Sequence, residues 1–586
     1  MNKKGIPGKR KGGPVSSAKP ELTHGKPPSR LNLLLPCAIL IITFAAYFPS
    51  LQNDLLKTWD DQAYITSNDL IKSLSPDNII RIFKEDKGLY ANYHPLTTLS
   101  LAINHSISGD RPFGYHLTNL FLHLLNTLLV FLFIYLLPGK KVVPAAIVSL
   151  LFGIHPMHVE SVAWVSERKD VLYTMFFLAS LIAYQVYLQR KNDPKFYLLA
   201  LLLFTCSLLS KAMAAPLPLI LFLIDHIIAR KLSFKIFLEK APFFLFSIVF
   251  GIIAMKIQAS SNATSSDLFS LSSRFLHSCY GFIAYIVKIL IPSGLSAFYP
   301  YPYPLVNSAW VLDHTPAVFF LTLILSILIL IIFIILIIKS EARYKTVVFG
   351  MLFYTATILL VLQFIPVGRV IMADRYAYLA SIGIFILIGF PADHFYQKKR
   401  YRPFVLICII AYGGALTVMT FQRSKVWKND ETLWTDVIEK YPGDNRIMLP
   451  IANRANYFYL ENRMPEALKD YLLAASINPN DDMVLEKIGR IYGKEMNNLD
   501  SAFRYLTRAY EKNNNNPDVL SGLAVVYGMK GDLKKSLQFS LAGLKFKGDD
   551  PSLLYNIGIT YQNLGEKEKG EEFLKRAFRL DPSLKH

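Results

Sequence analysis

Cysteine is scarce in this chain. There are four, Cys37, Cys206, Cys279 and Cys408, each in or beside an apolar segment, and no CxxC pair or metal-ligand spacing connects them. Neither a disulfide framework nor a zinc site is expected. Glycine-rich loops that cradle nucleotide phosphates are missing, as is a GxSxG element. A donor activated in water by a nucleotide is therefore not expected. Acidic residues are few, 43 against 63 Lys and Arg, which leaves a net charge of +20. Such an excess can mark a nucleic-acid partner. Here the basic residues sit in short clusters between apolar runs, where they orient membrane helices, so no nucleic acid is expected.

What is abundant is apolar sequence. Of 586 residues, 52% are hydrophobic, more than a soluble chain of this length needs. Apolar runs fall near 31–51, 114–137, 142–158, 170–188, 196–210, 212–229, 239–257, 275–291, 316–338, 346–366, 376–392 and 403–421. Basic loops at 1–30, Lys140-Lys141, Arg190 to Lys195, Arg230 to Lys235, Lys339 to Lys345 and Lys398 to Arg402 alternate with these runs. They all fall on the cytoplasmic side if 275–291 makes no net crossing. The expectation is an all-α bundle of about eleven spans. An odd count with a cytoplasmic N-terminus puts the C-terminal part outside the cytoplasm, which is the periplasmic side if the membrane is a bacterial inner one. The loops 52–113, 155–169, 292–315 and 367–375 share that outer face. Residues 1–30 read as a disordered basic tail, and 31–52 as an uncleaved anchor. The membrane domain covers 31–425 and a water-soluble domain 426–586.

The soluble part repeats. Tyr457, Tyr492, Tyr527 and Tyr561 recur at a period close to 34 residues. Ala467, Ala502, Ser536 and Gly570 keep step, as do Ala474, Ala509, Gly543 and Ala577. Small residues at fixed points let paired helices approach, and Pro479, Pro517, Pro551 and Pro582 close the units. The pattern resembles the tetratricopeptide repeat, an α-solenoid, with Trp427–Tyr441 beginning the array. Such solenoids take extended peptide in a concave groove. A stalk or oligomerisation surface is the alternative.

Four polar motifs lie on the outer face. Asp60-Asp61 follow the first span; like charges side by side raise one pKa towards that of a base, while the residues alone favour a solvated pair or a helix cap. His94 precedes a helix N-terminus fit for an anion, or anchors the interface. His155, His158 and Glu160 fall within six residues, but Pro156 breaks the register that a two-histidine metal site needs. No cofactor is expected, and a divalent metal is not indicated. Arg168 and Lys169 are basic on an outer face, which favours a phosphate contact. Arg369, Asp374 and Arg375 begin a late span, where Arg375 pairs with Asp374, reaches lipid phosphate or snorkels. Lys211 is a weaker candidate of that kind. Asn262-Ala263-Thr264 forms a glycosylation sequon.

WDDQAYITSND, NYHPLTTLSLAINH, RPFGYHLTNLFLHLLNTLLVF, LLFGIHPMHVESVAWVSERKDVLYTMFFLASLIAY, PSGLSAFYPYP and MADRYAYLASIGIF, in that order, resemble the transmembrane and tetratricopeptide-repeat O-mannosyltransferases and their bacterial relatives. The similarity spans nearly the whole chain after residue 30. It implies a GT-C glycosyltransferase with an outward-facing site and an acidic catalytic pair, here Asp60 and Asp61. It implies a polyprenyl-phosphate sugar as donor, mannose in the eukaryotic members, and Ser or Thr of a protein as acceptor. Under that reading His94, His155, His158, Glu160, Arg168, Lys169, Arg369, Asp374 and Arg375 serve donor sugar and phosphate. Tyr457, Tyr492 and Tyr527 serve the acceptor. A scaffold that recruits envelope proteins, a transferase acting on glycan or lipid, and a transporter are the rivals. No internal duplication of the kind a transporter shows is visible.

Overall fold

The computed structural model describes residues 30–85, 92–260, 269–301, 305–306, 309–310, 317–339, 344–365, 368 and 370–585. The N-terminal tail up to residue 29, the sequon Asn262-Ala263-Thr264 and Arg369 lie outside the described residues. Of the described residues, 80% are helical.

The membrane part holds α1 (Arg30–Tyr47), α2 (Pro76–Glu85), α3 (Pro95–Ser108), α4 (Pro112–Tyr135), α5 (Val142–Gly153), α6 (Val159–Ala163), α7 (Arg168–Gln189), α8 (Pro194–Ser210), α9 (Leu217–Ile227), α10 (Phe234–Ser260), α11 (Leu271–Leu290), α12 (Ala317–Lys339), α13 (Lys345–Ile358), α14 (Ala377–Tyr396) and α15 (Arg402–Val426). Proline opens α2, α3, α4 and α8, where its missing N–H would be unpaired anyway. Among the described residues, seven helices are long and apolar enough to cross a membrane, and α5 with α6, bent by 50° between them, makes an eighth if the pair is one span. This is an integral membrane protein. Eleven spans are reached only by adding three shorter apolar helices, Pro194–Ser210, Ala212–Ile227 and Lys345–Val361. The run at 275–291 lies on α11, which is not among the seven.

α4, α7 and α14 run through the middle of the bundle, while α10, α12 and α15 turn most of their surface outwards. α13 and α14 touch backbone to backbone: a Cβ on Gly350 would lie 2.7 Å from the Gly383 carbonyl oxygen. Four short strands among the described residues were not foreseen, and Leu305–Val306 pairs antiparallel with Ala309–Trp310. Tyr299–Pro300 pairs antiparallel with Val370–Met372, which brings two of the quoted motifs, PSGLSAFYPYP and MADRYAYLASIGIF, side by side.

α15 ends at Val426, and α16 (Asp430–Lys440) starts the repeat side after three residues. Asn429 caps α16, with Thr432 returning the bond in a capping box,. Helix pairs follow as α17 (Met448–Leu460) with α18 (Met464–Ile477), α19 (Asp482–Lys494) with α20 (Leu499–Lys512), α21 (Pro517–Met529) with α22 (Leu533–Lys547), and α23 (Pro551–Asn563) with α24 (Lys567–Leu580). Each pair turns through one residue of positive φ: Asn462, Asn497, Gly531 and Gly565. Asn and Gly tolerate that conformation best. Asp481, Asn498, Asn516, Asp532 and Asp550 cap helix N-termini through their side chains,. The small residues at the repeat positions are buried between paired helices, Ala467 and Ala502 completely.

Candidate active site

The four polar motifs meet at one end of the bundle. Asp60 and Asp61 follow α1 in the sequence but play different parts. Asp61 is buried. Its Oδ1 accepts from the Ser166 backbone N–H at 2.9 Å and from the Ser166 hydroxyl, and its Oδ2 accepts from the Leu56 N–H at 3.0 Å. Burial pushes its pKa up to about 6 against the pull of those bonds. Asp61 thus ties the loop to the residues just before α7.

The half-buried Asp60 carboxylate accepts no hydrogen bond among the described residues. Its backbone carbonyl receives Ala63 and Tyr64 N–H and starts the following turn. Burial raises its pKa, Lys169 and Arg375 pull it down, and Glu167 adds to the rise. Asp60 is therefore a carboxylate with free lone pairs, set between two cations and a further carboxylate.

Those cations are organised by carboxylates. Glu160 Oε2 accepts from the Arg375 backbone N–H at 3.1 Å, and Glu160 Oε1 takes the Arg375 guanidinium. Glu167 sits against three cations at once, Lys169 at 3.2 Å, Lys211 at 3.4 Å and Arg375 at 3.4 Å. Lys211 also holds Asp170, whose other oxygen accepts from the Ser161 hydroxyl at 3.2 Å. Glu167 was not singled out from the sequence, although it stands between Ser166 and Arg168 in a motif that was. Lys169 lies over the Tyr64 ring at 4.7 Å, and the Tyr64 hydroxyl meets His94 Nε2 at 3.1 Å. His94 thereby joins the cluster through Tyr64.

Other predicted residues are placed elsewhere. Both ring nitrogens of His155 are engaged, with the Ile289 carbonyl at 3.0 Å and the Met157 N–H at 3.3 Å. His158 is held by the Phe152 carbonyl at 2.8 Å and the Ser381 hydroxyl at 3.0 Å. Arg168 spends its guanidinium on the side chains of Asn119, Ser100 and Asn104 and on the Tyr115 carbonyl, clamping α3, α4 and α7 together. The structure brings none of the three into bonding contact with the acidic pair. Asp374 accepts from the Tyr299 hydroxyl at 2.6 Å, just before Arg375. No group of three or more His, Cys, Asp or Glu among the described residues is arranged to hold a metal ion.

The repeat side abuts this centre. Trp59, the neighbour of Asp60, lies 4.2 Å from Trp164, 4.8 Å from Trp434 and 6.2 Å from Trp427 between ring centroids. A cleft of about 540 Å³ lies alongside, between Leu55, Leu56, Gln62 and Thr66 of the acidic loop and Tyr457 and Glu461 of α17 and its end. Tyr457 thus faces the loop. Tyr492 stacks on Tyr505 and Tyr527 on Phe539, each inside the repeat array.

A tetratricopeptide-repeat family model matches residues 551–584. The chain is 24% identical over 442 residues to "Protein O-mannosyl-transferase F38B6.6" of Caenorhabditis elegans, which covers 71% of this chain and 59% of that one. It is 23% identical over 523 residues to "Protein O-mannosyl-transferase TMTC3" of Homo sapiens, covering 81% and 54%. A stretch of 97 residues is 41% identical to human "Protein O-mannosyl-transferase TMTC2", covering 17% and 12%. The chain is a distant relative of these O-mannosyl-transferases. It spans little more than half the length of the curated relatives it matches along most of its course. Among solved structures, "Crystal structure of MamA protein" matches at a TM-score of 0.23 and 16% identity, over 25% of this chain and 78% of that one. "Crystal structure of YrrB: a TPR protein with an unusual peptide-binding site" matches at 0.23 and 18%, over 33% and 92%.

Proposed function

We propose that the chain is a membrane glycosyltransferase that moves a sugar, mannose, from a polyprenyl-phosphate donor to Ser or Thr hydroxyls of extracytoplasmic proteins. The division of labour within the acidic pair carries this reading. Asp61 is spent on structure, and Asp60 keeps its oxygens free beside cations. A base needs an unengaged lone pair within reach of the proton it takes. Asp60 accepts the proton of the acceptor hydroxyl as that oxygen attacks the anomeric carbon. The bond from that carbon to the phosphate oxygen breaks on the opposite face, so the configuration inverts. Lys169 and Arg375 receive the negative charge that builds on the departing phosphate. Glu160 and Glu167 hold those cations in place before the donor arrives. The cleft beside Tyr457 lies where an acceptor segment led in by the repeats would reach the acidic loop.

The test is sugar transfer from radiolabelled polyprenyl-phosphate sugars to an envelope-protein fraction, using membranes that carry the chain. Transfer lost in Asp60→Asn with the protein still folded supports the reading. Equal transfer by wild type and Asp60→Asn removes Asp60 as base. Absence of transfer from every donor, mannose included, would favour a scaffold that recruits partners without chemistry.

A further inference from the structure

Among the described residues the Asp60 side chain accepts no bond, so Asp60 is placed through its backbone. Three clamps hold that backbone. Asp61 fastens it downstream to Ser166 and Leu56. Trp59 is packed sideways into three other tryptophans. The third clamp comes from the repeat side. Asp430, the first residue of α16, is fully buried. It does not cap its own helix, which Asn429 does. Its Oδ2 instead accepts from the Lys57 backbone N–H at 2.8 Å. Its Oδ1 accepts from the Thr58 backbone N–H at 3.0 Å and from the Thr58 hydroxyl. Thr58 Oγ1 in turn accepts from the Trp434 indole N–H at 3.1 Å, one turn along α16.

The same helix also reaches the other half of the centre. Asp436 pairs with Arg423 at 2.6 Å and with Lys440 at 2.6 Å, and Lys440 donates to the Leu295 carbonyl. Leu295 lies just before the strand that pairs with Val370–Met372, which leads into Asp374 and Arg375. A buried carboxylate with backbone donors fixes geometry more tightly than a surface ion pair. The Lys57–Glu461 pair, with Lys57 half exposed, is of the second kind.

Building on the transferase reading, we propose that Asp430 is a positioning residue for the Asp60 carboxylate. The first repeat-side helix is then a working part of the transfer centre as well as the start of a platform for acceptors. Removing the Asp430 carboxylate frees residues 57–58 and lets Asp60 drift from the cations.

Two readouts on the full chain in detergent test this. The first needs no activity: with the four native cysteines replaced by Ala, a thiol is introduced by Asp60→Cys and its labelling rate by a maleimide is measured. Adding Asp430→Ala should raise that rate at least tenfold, Asp430→Asn by much less, and Glu461→Gln not at all. The second is turnover with Asp60 intact. Asp430→Ala should lower kcat tenfold or more, and should lower donor hydrolysis by water equally, with KM for the acceptor little changed. Asp430→Asn should recover most of it. A labelling rate that is unmoved in a folded Asp430→Ala variant overturns the proposal. So does a defect confined to acceptor KM. If wild type neither transfers nor hydrolyses any donor, the transferase reading fails by itself, and the labelling rate still decides whether Asp430 positions residue 60.

Discussion

Ser166 donates twice to one oxygen of Asp61, from its backbone N–H at 2.9 Å and from its hydroxyl. The pair joins two stretches of chain more than a hundred residues apart, while the neighbouring Asp60 carboxylate accepts no hydrogen bond among the described residues. Ser166→Ala removes one of the two bonds. A lost hydrogen bond to a buried charged group costs about 1.5–3 kcal/mol. Thermal unfolding in detergent should show that loss, whereas Asp60→Asn should leave the unfolding temperature nearly unchanged.

Asp61 also sets a pH dependence. Its folded pKa of about 6 lies above that of an unfolded aspartate, near 3.9. The folded state therefore binds more protons than the unfolded state between these values, so this residue's contribution falls as pH rises. Stability from Asp61 is fully present below about pH 4 and is lost as pH climbs through about 6. Stability against pH should slope downwards over that window in wild type, and Asp61→Asn should flatten the slope.

For Asp60 the readout is rate. A base works only when deprotonated. Burial raises its pKa and Lys169 lowers it, so the acid limb of kcat against pH should lie above the ordinary aspartate value. Lys169→Met removes the charge that holds Asp60 down, so the limb should move further up. An unmoved limb in a folded Lys169→Met variant would exclude Asp60 as the titrating base.

Arg375 donates to Glu160 from both its backbone N–H and its guanidinium, and the guanidinium carries the compensating charge. Arg375→Met leaves that buried carboxylate uncompensated, at about 3–5 kcal/mol. Arg375→Met combined with Glu160→Gln should be more stable than Arg375→Met alone. Neither variant should transfer sugar at more than about a hundredth of the wild-type rate, since electrostatic stabilisation of this kind contributes roughly a factor of a hundred or more.

The tyrosines separate acceptor binding from packing. Tyr457→Ala, in the cleft beside the acidic loop, should raise KM for acceptor protein severalfold with modest loss of stability. Tyr492→Ala and Tyr527→Ala remove ring stacking inside the array. The lost ring pairing should destabilise the repeats by about 0.5–1.5 kcal/mol each with little selective effect on acceptor KM.

The solenoid was legible because each repeat packs on its neighbours, so spacing in sequence becomes spacing in the fold. Asn462, Asn497, Gly531 and Gly565 even mark its turns. The site was legible only in part. Asp60, Asp61, Glu160, Lys169 and Arg375 stood out as charges beside apolar runs, and the structure gathers them. His155, His158 and Arg168 stood out equally, yet their partners are Ile289, Phe152, Ser381, Asn119 and Asn104, carbonyls, a hydroxyl and amides that no local pattern ties to them. Glu167 escaped notice because its importance lies in three cations, two of them more than forty residues away. Asp430 was invisible for the same reason: it looks like an ordinary first-turn acid, and its partners Lys57 and Thr58 lie more than 370 residues earlier.

Four of the chain's five tryptophans, Trp59, Trp164, Trp427 and Trp434, are gathered at the junction of loop, bundle and first repeat-side helix. The repeats beyond α16 contain none. Intrinsic indole emission is therefore close to a local gauge, dominated by this one seam. Melting of the distal helix pairs should pass with little optical signal. Parting of the repeat side from the acidic loop should wet four rings together and redden the spectrum, so the protein carries a built-in optical probe of whether its two halves are joined.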